Sequence, residues 1–144
     1  MSRAWTMLLY KIPREPTSRR VYVWRKLKQL GAVHLHDAAW CLPATDWTRE
    51  QFMWLAVEIQ EFGGMSTVFE AKEGIPGQDE VLVRQFLDQV DTEYSELLER
   101  LEKSDSSLED LAKRYQQIRN KDYFDSRLGQ RVRERLTAKR GRPS

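Results

Sequence analysis

The sequence predicts an α+β fold: a four-stranded antiparallel sheet with two helices on one face, followed by a helical arm of two or three helices. Three observations carry this. Residues 4–12, AWTMLLYKI, are apolar apart from Lys11, and two later segments repeat apolar side chains at helical spacing between short strand-like runs. Beyond residue 78 the helical spacing continues with no further strand pattern. At 144 residues the chain is one domain, or one small domain with an appendage. The boundaries expected are 1–74 for the sandwich, 75–140 for the helical extension and 141–144 for a disordered basic tail.

The opening run suits a strand buried on both faces, hence a central one, and Pro13 ends it because proline has no N–H for a ladder. Residues 14–18 form a turn, where Thr17 or Ser18 caps the next helix. That helix covers about 18–30, with Val23, Leu27 and Leu30 on one face and Gly31 as its stop. Residues 32–36 and 39–42 read as two strands joined at Asp37-Ala38, a turn lacking the usual glycine or asparagine. Thr48-Arg49-Glu50-Gln51 matches a capping box, followed by the stripe Phe52, Leu55, Ala56, Ile59 and Phe62. Gly63-Gly64 ends it, and residues 66–72 return as a strand. Strand, helix, strand, strand, helix, strand is the ferredoxin-like order.

After a hinge at residues 74–77, Val83, Phe86, Leu87, Val90, Tyr94, Leu97, Leu98 and Leu101 keep a helical stripe over more than five turns. A break at residues 104–107 follows, with Ser107 and Asp110 placed to cap a second helix. Asp122-Tyr123-Phe124 opens a third, along which Leu128, Val132 and Leu136 lie four apart.

Net charge is only +2, but its distribution is uneven. Residues 1–72 carry +3, 73–112 carry −9 and 113–144 carry +8, a pattern that fits helix pairing within the chain or a polyanion-binding end. The single Cys41 excludes an internal disulfide and fits a reducing compartment. The opening MSRAWT lacks a secretory apolar region, and no run approaches a membrane span, so a soluble cytoplasmic protein is expected.

No phosphate loop, HExxH, GxSxG or CxxC occurs. His34 and His36 share one side of a strand, but no third metal ligand is spaced to join them, and Cys41 beside Trp40 and Leu42 reads as a core thiol. The basic constellation is denser. Lys11, Arg14, Arg19, Arg20, Arg25, Lys26 and Lys28 lie beside Tyr10, Tyr22 and Trp24. Guanidinium forks and lysine point charges suit phosphate oxygens, so Lys11, Arg14, Arg19, Arg20, Arg25 and Lys28 are the expected nucleic-acid-binding residues. A solvated basic helix face is the bland alternative. Arg127, Arg131 and Arg135 make a second stripe, expected to pair with the acidic helix around residues 93–102.

Residues 8–32, LLYKIPREPTSRRVYVWRKLKQLGA, resemble the N-terminal domain of ChrB-type chromate-resistance regulators. Residues 55–59 (LAVEI) with Gly63-Gly64, and 118–124 (IRNKDYF), are also family-like. The first run is more distantly similar to the central domain of PaaX-type phenylacetate repressors, whose ferredoxin-like fold is related to the CRISPR adaptation endonucleases. The resemblance implies a cytoplasmic, dimeric bacterial regulator that binds operator DNA and responds to chromate, an oxyanion that paired arginines such as Arg14 and Arg19 suit. ChrB-type regulators usually continue into a second domain, and this sequence ends at Ser144. PaaX-type repressors carry a winged helix ahead of the related domain, and nothing precedes Arg3 here but two residues. The alternative implied is a non-catalytic dimerisation or interaction module for a separately encoded chromate-resistance partner. The nuclease relatives end their first strand with a metal-binding aspartate. Lys11 stands about there, and a lysine repels a divalent cation, so neither a metal cofactor nor an enzyme is expected.

Overall fold

The computed structural model describes residues 3–103 and 107–141. The elements are β1 (Trp5–Lys11), α1 (Thr17–Leu30), β2 (Val33–His36), β3 (Ala39–Pro43), α2 (Asp46–Glu61), β4 (Met65–Ala71), α3 (Gln78–Lys103), α4 (Leu108–Arg119) and α5 (Arg127–Arg140). The expected break at 104–106 and the tail at 142–144 lie outside the described residues. The sheet runs β2-β3-β1-β4 with every neighbouring pair antiparallel, so the fold is the α+β, ferredoxin-like one with helices following the sheet. The chain divides into two compact units, Met1–Leu82 and Val83–Ser144.

In the first unit β1 is central, as its run, apolar but for the closing Lys11, leads one to expect. It pairs with β3 on one side and β4 on the other, and Leu8 lies opposite both Trp40 and Val68. Ser66 donates to the Ala56 carbonyl at 2.8 Å, placing α2 over the face that carries Leu8, Leu42 and Val68. Val23 and Leu27 of α1 and Phe52, Leu55 and Ile59 of α2 are buried with Leu8 and Leu42. The hairpin turn works without glycine because Asp37 itself takes a left-handed conformation, φ 44°, which aspartate tolerates better than most residues. A bulge between His34 and His36 breaks their expected common side. His34 instead stacks on Trp40, with ring centroids 4.4 Å apart, and its Nε2 lies 2.7 Å from the Asp37 carbonyl oxygen.

Two helix starts in the first unit differ from expectation. Pro16, not Thr17 or Ser18, is the N-cap of α1, with extended dihedrals, no side-chain cap and its carbonyl accepting from the Arg19 N–H at 3.2 Å. For α2 the capping box opens at Thr45, and Thr48 is its third helical member. The Thr45 hydroxyl accepts from the Thr48 N–H at 3.1 Å, and the Thr48 hydroxyl accepts from the Thr45 N–H at 2.8 Å. Thr48 can fill that position because its buried hydroxyl also reaches the Pro43 carbonyl at 2.6 Å.

In the second unit Val90, Tyr94, Leu97 and Leu101 of α3 form a core with Leu111, Ile118, Val132 and Leu136. Ser107 caps α4 as expected, accepting from the Asp110 N–H. The third helix of the arm begins later than expected: Ser126 caps α5, and Asp122 belongs to the turn before it. The physical reason is that the buried Asp122 carboxylate is occupied by the Tyr94 hydroxyl at 2.9 Å and the Ser126 N–H at 3.1 Å, while Asp125 turns left-handed at φ 54°. Gly129 lets α5 approach α3 closely, since a Cβ there would lie 2.6 Å from the Tyr94 ring.

The expected pairing of Arg127, Arg131 and Arg135 with the acidic helix does not occur. Glu93 takes Arg114 at 2.9 Å and Lys121 at 2.8 Å instead. Gly129, Val132 and Leu136 face inward, which turns Arg127, Arg131 and Arg135 to the opposite, exposed side.

Candidate nucleic-acid interface

The site is built on α1, a helix held to the sheet by a narrow stripe. Val23 and Leu27, four residues apart, are its buried side chains, so most of its circumference meets solvent. It contains no Asp or Glu and carries Arg19, Arg20, Arg25, Lys26 and Lys28. Its first turn has neither an acidic residue nor a side-chain cap, leaving the positive end of the helix dipole uncompensated. Two aromatics are interleaved with these cations. Trp24 is 51% exposed and Tyr22 is also exposed. Lys28 lies 5.6 Å from the Trp24 ring centre and Lys26 5.9 Å from that of Tyr22.

Tyr22 also ties α1 to α2. Its hydroxyl donates to the Glu58 carboxylate, a bond that raises the phenol above its ordinary pKa, and its ring meets Phe62 edge-on. Arg19 caps the same corner, donating to the Phe62 carbonyl at 3.4 Å with its guanidinium 5.3 Å from that ring.

The end of β1, the first turns of α1 and the β2–β3 turn enclose a cleft of about 630 Å³. Lys11, Arg20 and Arg25 bring three cations to it, with Tyr10, Trp24 and Asp37 among its walls. Backbone pairing places that turn: the Tyr10 N–H donates to the Ala38 carbonyl at 3.1 Å. Burial pushes the Tyr10 phenol up, opposed by the Arg20 charge and a hydrogen bond from Trp40. At the same end of β1, a Cβ on Gly64 would lie 2.5 Å from the Lys11 carbonyl, so glycine there permits the approach that fixes the strand tip.

Of the six sequence-predicted residues, Lys11, Arg20 and Arg25 share the cleft. Lys28 lies over Trp24 on the same helix, and Arg19 turns toward Phe62. Arg14 sits exposed in the preceding loop and does not line the cleft. Asp37 was missed as a wall residue, because only the strand register brings the turn beside Tyr10. Cys41 is a buried core thiol, pushed up to about 12 by burial. Among the described residues no helix is long and apolar enough to cross a membrane.

A four-stranded antiparallel sheet bearing an acid-free cationic helix defines the class: a small ferredoxin-like domain with an electropositive helix face. The chain belongs to the ChrB N-terminal family, whose model, described as "Protein ChrB, N-terminal", matches residues 20–101, more than half of its length. It is similar to Protein ChrB of Cupriavidus metallidurans, at 30% identity over 107 residues, covering 74% of this chain. The matched stretch is 32% of that protein, so the chain spans about a third of the relative's length. No solved structure gives a significant match.

Proposed function

We propose that this chain is a DNA-binding regulatory domain of a bacterial chromate-resistance system, acting in the cytoplasm as a dimer and without catalysis of its own. The observation that carries the reading is α1: five cations, no carboxylate, and exposed Tyr22 and Trp24 among them. Such a surface gains from releasing counterions along a phosphate backbone. Family membership supports the chromate context. Lys11 closing β1 supports the non-catalytic part, since it adds positive charge where a metal site would need carboxylates. The Lys11, Arg20 and Arg25 cleft is the proposed seat for an oxyanion effector such as chromate, in preference to Arg14 with Arg19.

Fluorescence anisotropy on a duplex of the promoter region tests this. Replacing Arg20, Arg25 and Lys28 together by alanine should weaken binding about tenfold or more, across sequences, as loss of phosphate contacts does. Unchanged affinity in the triple variant would reject α1 as the interface. Titration with chromate and with sulfate, read by the same anisotropy, tests the effector. A response to chromate alone supports it, and equal or absent responses remove it.

A second reading is an interaction module, favoured by one observation. The sheet edge β4 exposes Met65 and Phe69, at 74% and 54%. Unprotected edges of this kind pair readily with another strand. On this reading β4 joins a second copy or a separately encoded partner. A sedimentation mass of one chain across the micromolar range, with no partner captured, would count against it.

A further inference from the structure

The outer face of α5 is strongly cationic. α5 carries Arg127, Arg131, Arg133, Arg135, Lys139 and Arg140 against a single acid, Glu134. Lys139 turns inward to the Leu101 carbonyl. Arg127, Arg131 and Arg135 are exposed, and among the described residues none has a carboxylate within 4.0 Å. Glu134, three residues after Arg131, is the one acid near this face, so its charge is predominantly positive rather than evenly mixed. The helix beneath it is firmly seated. Ser126 caps its start and bonds Asp91, Gly129 packs on Tyr94, and Val132 and Leu136 are buried in the core of their unit.

We propose that the outer face of α5 is a second contact for the phosphate backbone of duplex DNA, made by Arg127, Arg131 and Arg135. This rests on the DNA-binding reading above and extends it to a helix outside the family-matched residues 20–101. Four residues of helix advance about 6 Å, so the three guanidiniums cover about 12 Å of axis. One strand of duplex DNA presents a charge per ~3.4 Å of axis, so that length spans about three to four phosphates of a strand. Arginine forks match phosphate oxygens with two bonds each. An anionic membrane fits less well. Helices that lie on bilayers insert an apolar face, and the apolar face of α5 is already buried against α3 and α4.

The test uses the full chain carrying R127A, R131A and R135A together, with circular dichroism and thermal melting to show an unchanged fold, and the matching triple lysine variant as a charge-preserving control. Anisotropy on a 30-base-pair duplex is read between about 50 and 200 mM salt, the range over which counterion release is measured. The alanine variant should lose about tenfold or more in affinity at low salt, with its logarithmic salt slope falling by about 2 to 3, while the lysine variant keeps most of the slope. Unchanged affinity and slope, with binding still lost in the α1 triple variant, would overturn the α5 proposal and leave the α1 reading standing. Absence of DNA binding by the wild type would overturn both. Loss of binding to phosphatidylserine vesicles with DNA binding intact would assign the face to a lipid surface and also overturn the proposal.

Discussion

At the scale of single residues, the second unit depends on one small side chain and one buried hydroxyl. Gly129 leaves no room for a Cβ beside the Tyr94 ring. Gly129→Ala should therefore cost about 1–3 kcal/mol as overpacking, read by urea denaturation. Tyr94 donates to Asp122, and burial with the adjacent carboxylate drives its phenol far above the ordinary range. In the first unit, Asp79 accepts from the Trp5 indole at 2.8 Å and from the Arg3 N–H at 2.8 Å, and these bonds lower its pKa below the ordinary 3.8. A carboxyl lowered on folding stabilises the fold above its ordinary pKa and loses that contribution as pH falls through the folded value. Asp79→Asn should thus flatten the loss of stability below about pH 4, measured by urea midpoints across acid pH. Cys41 has the opposite sign. Its raised pKa makes the fold lose stability as pH climbs above the ordinary 9.0, and Cys41→Ala should reduce that alkaline slope.

At the scale of elements, helix ends separate what periodicity reveals from what it conceals. The stripes Phe52, Leu55, Ile59 and Val90, Tyr94, Leu97, Leu101 were readable because a helix repeats its buried face every three or four residues. The start of α2 was displaced by one box. Thr45 and Thr48 are both good caps by type, and only the Pro43 carbonyl beneath Thr48 decides between them. Thr45→Ala should cost about 1 kcal/mol of stability, the usual value for a lost N-cap, checked by the urea midpoint. The same limit governs the site. The cations of α1 are a sequence fact, but that Lys11, Arg20 and Arg25 share a cleft while Arg19 turns to Phe62 follows from tertiary packing. The fate of Arg127, Arg131 and Arg135 was likewise hidden. Adjacent blocks of opposite charge suggest pairing, yet the rotation of α5 is set by Gly129, Val132 and Leu136, and it is Arg114 and Lys121 that reach Glu93.

At the scale of the whole molecule, a small net charge conceals segregated cationic faces on α1 and α5. Each unit has its own core, and each leaves one basic helix face to solvent. The central claim is that α1 meets DNA. Two-dimensional NMR of ¹⁵N-labelled full chain, titrated with promoter duplex, tests it most directly through the backbone amides and the exposed Trp24 indole N–H. The account predicts that the indole signal and the amides from Thr17 to Lys28 shift or broaden on binding, and that raising the salt reverses this. Binding that leaves α1 and Trp24 unperturbed while other residues shift would contradict it.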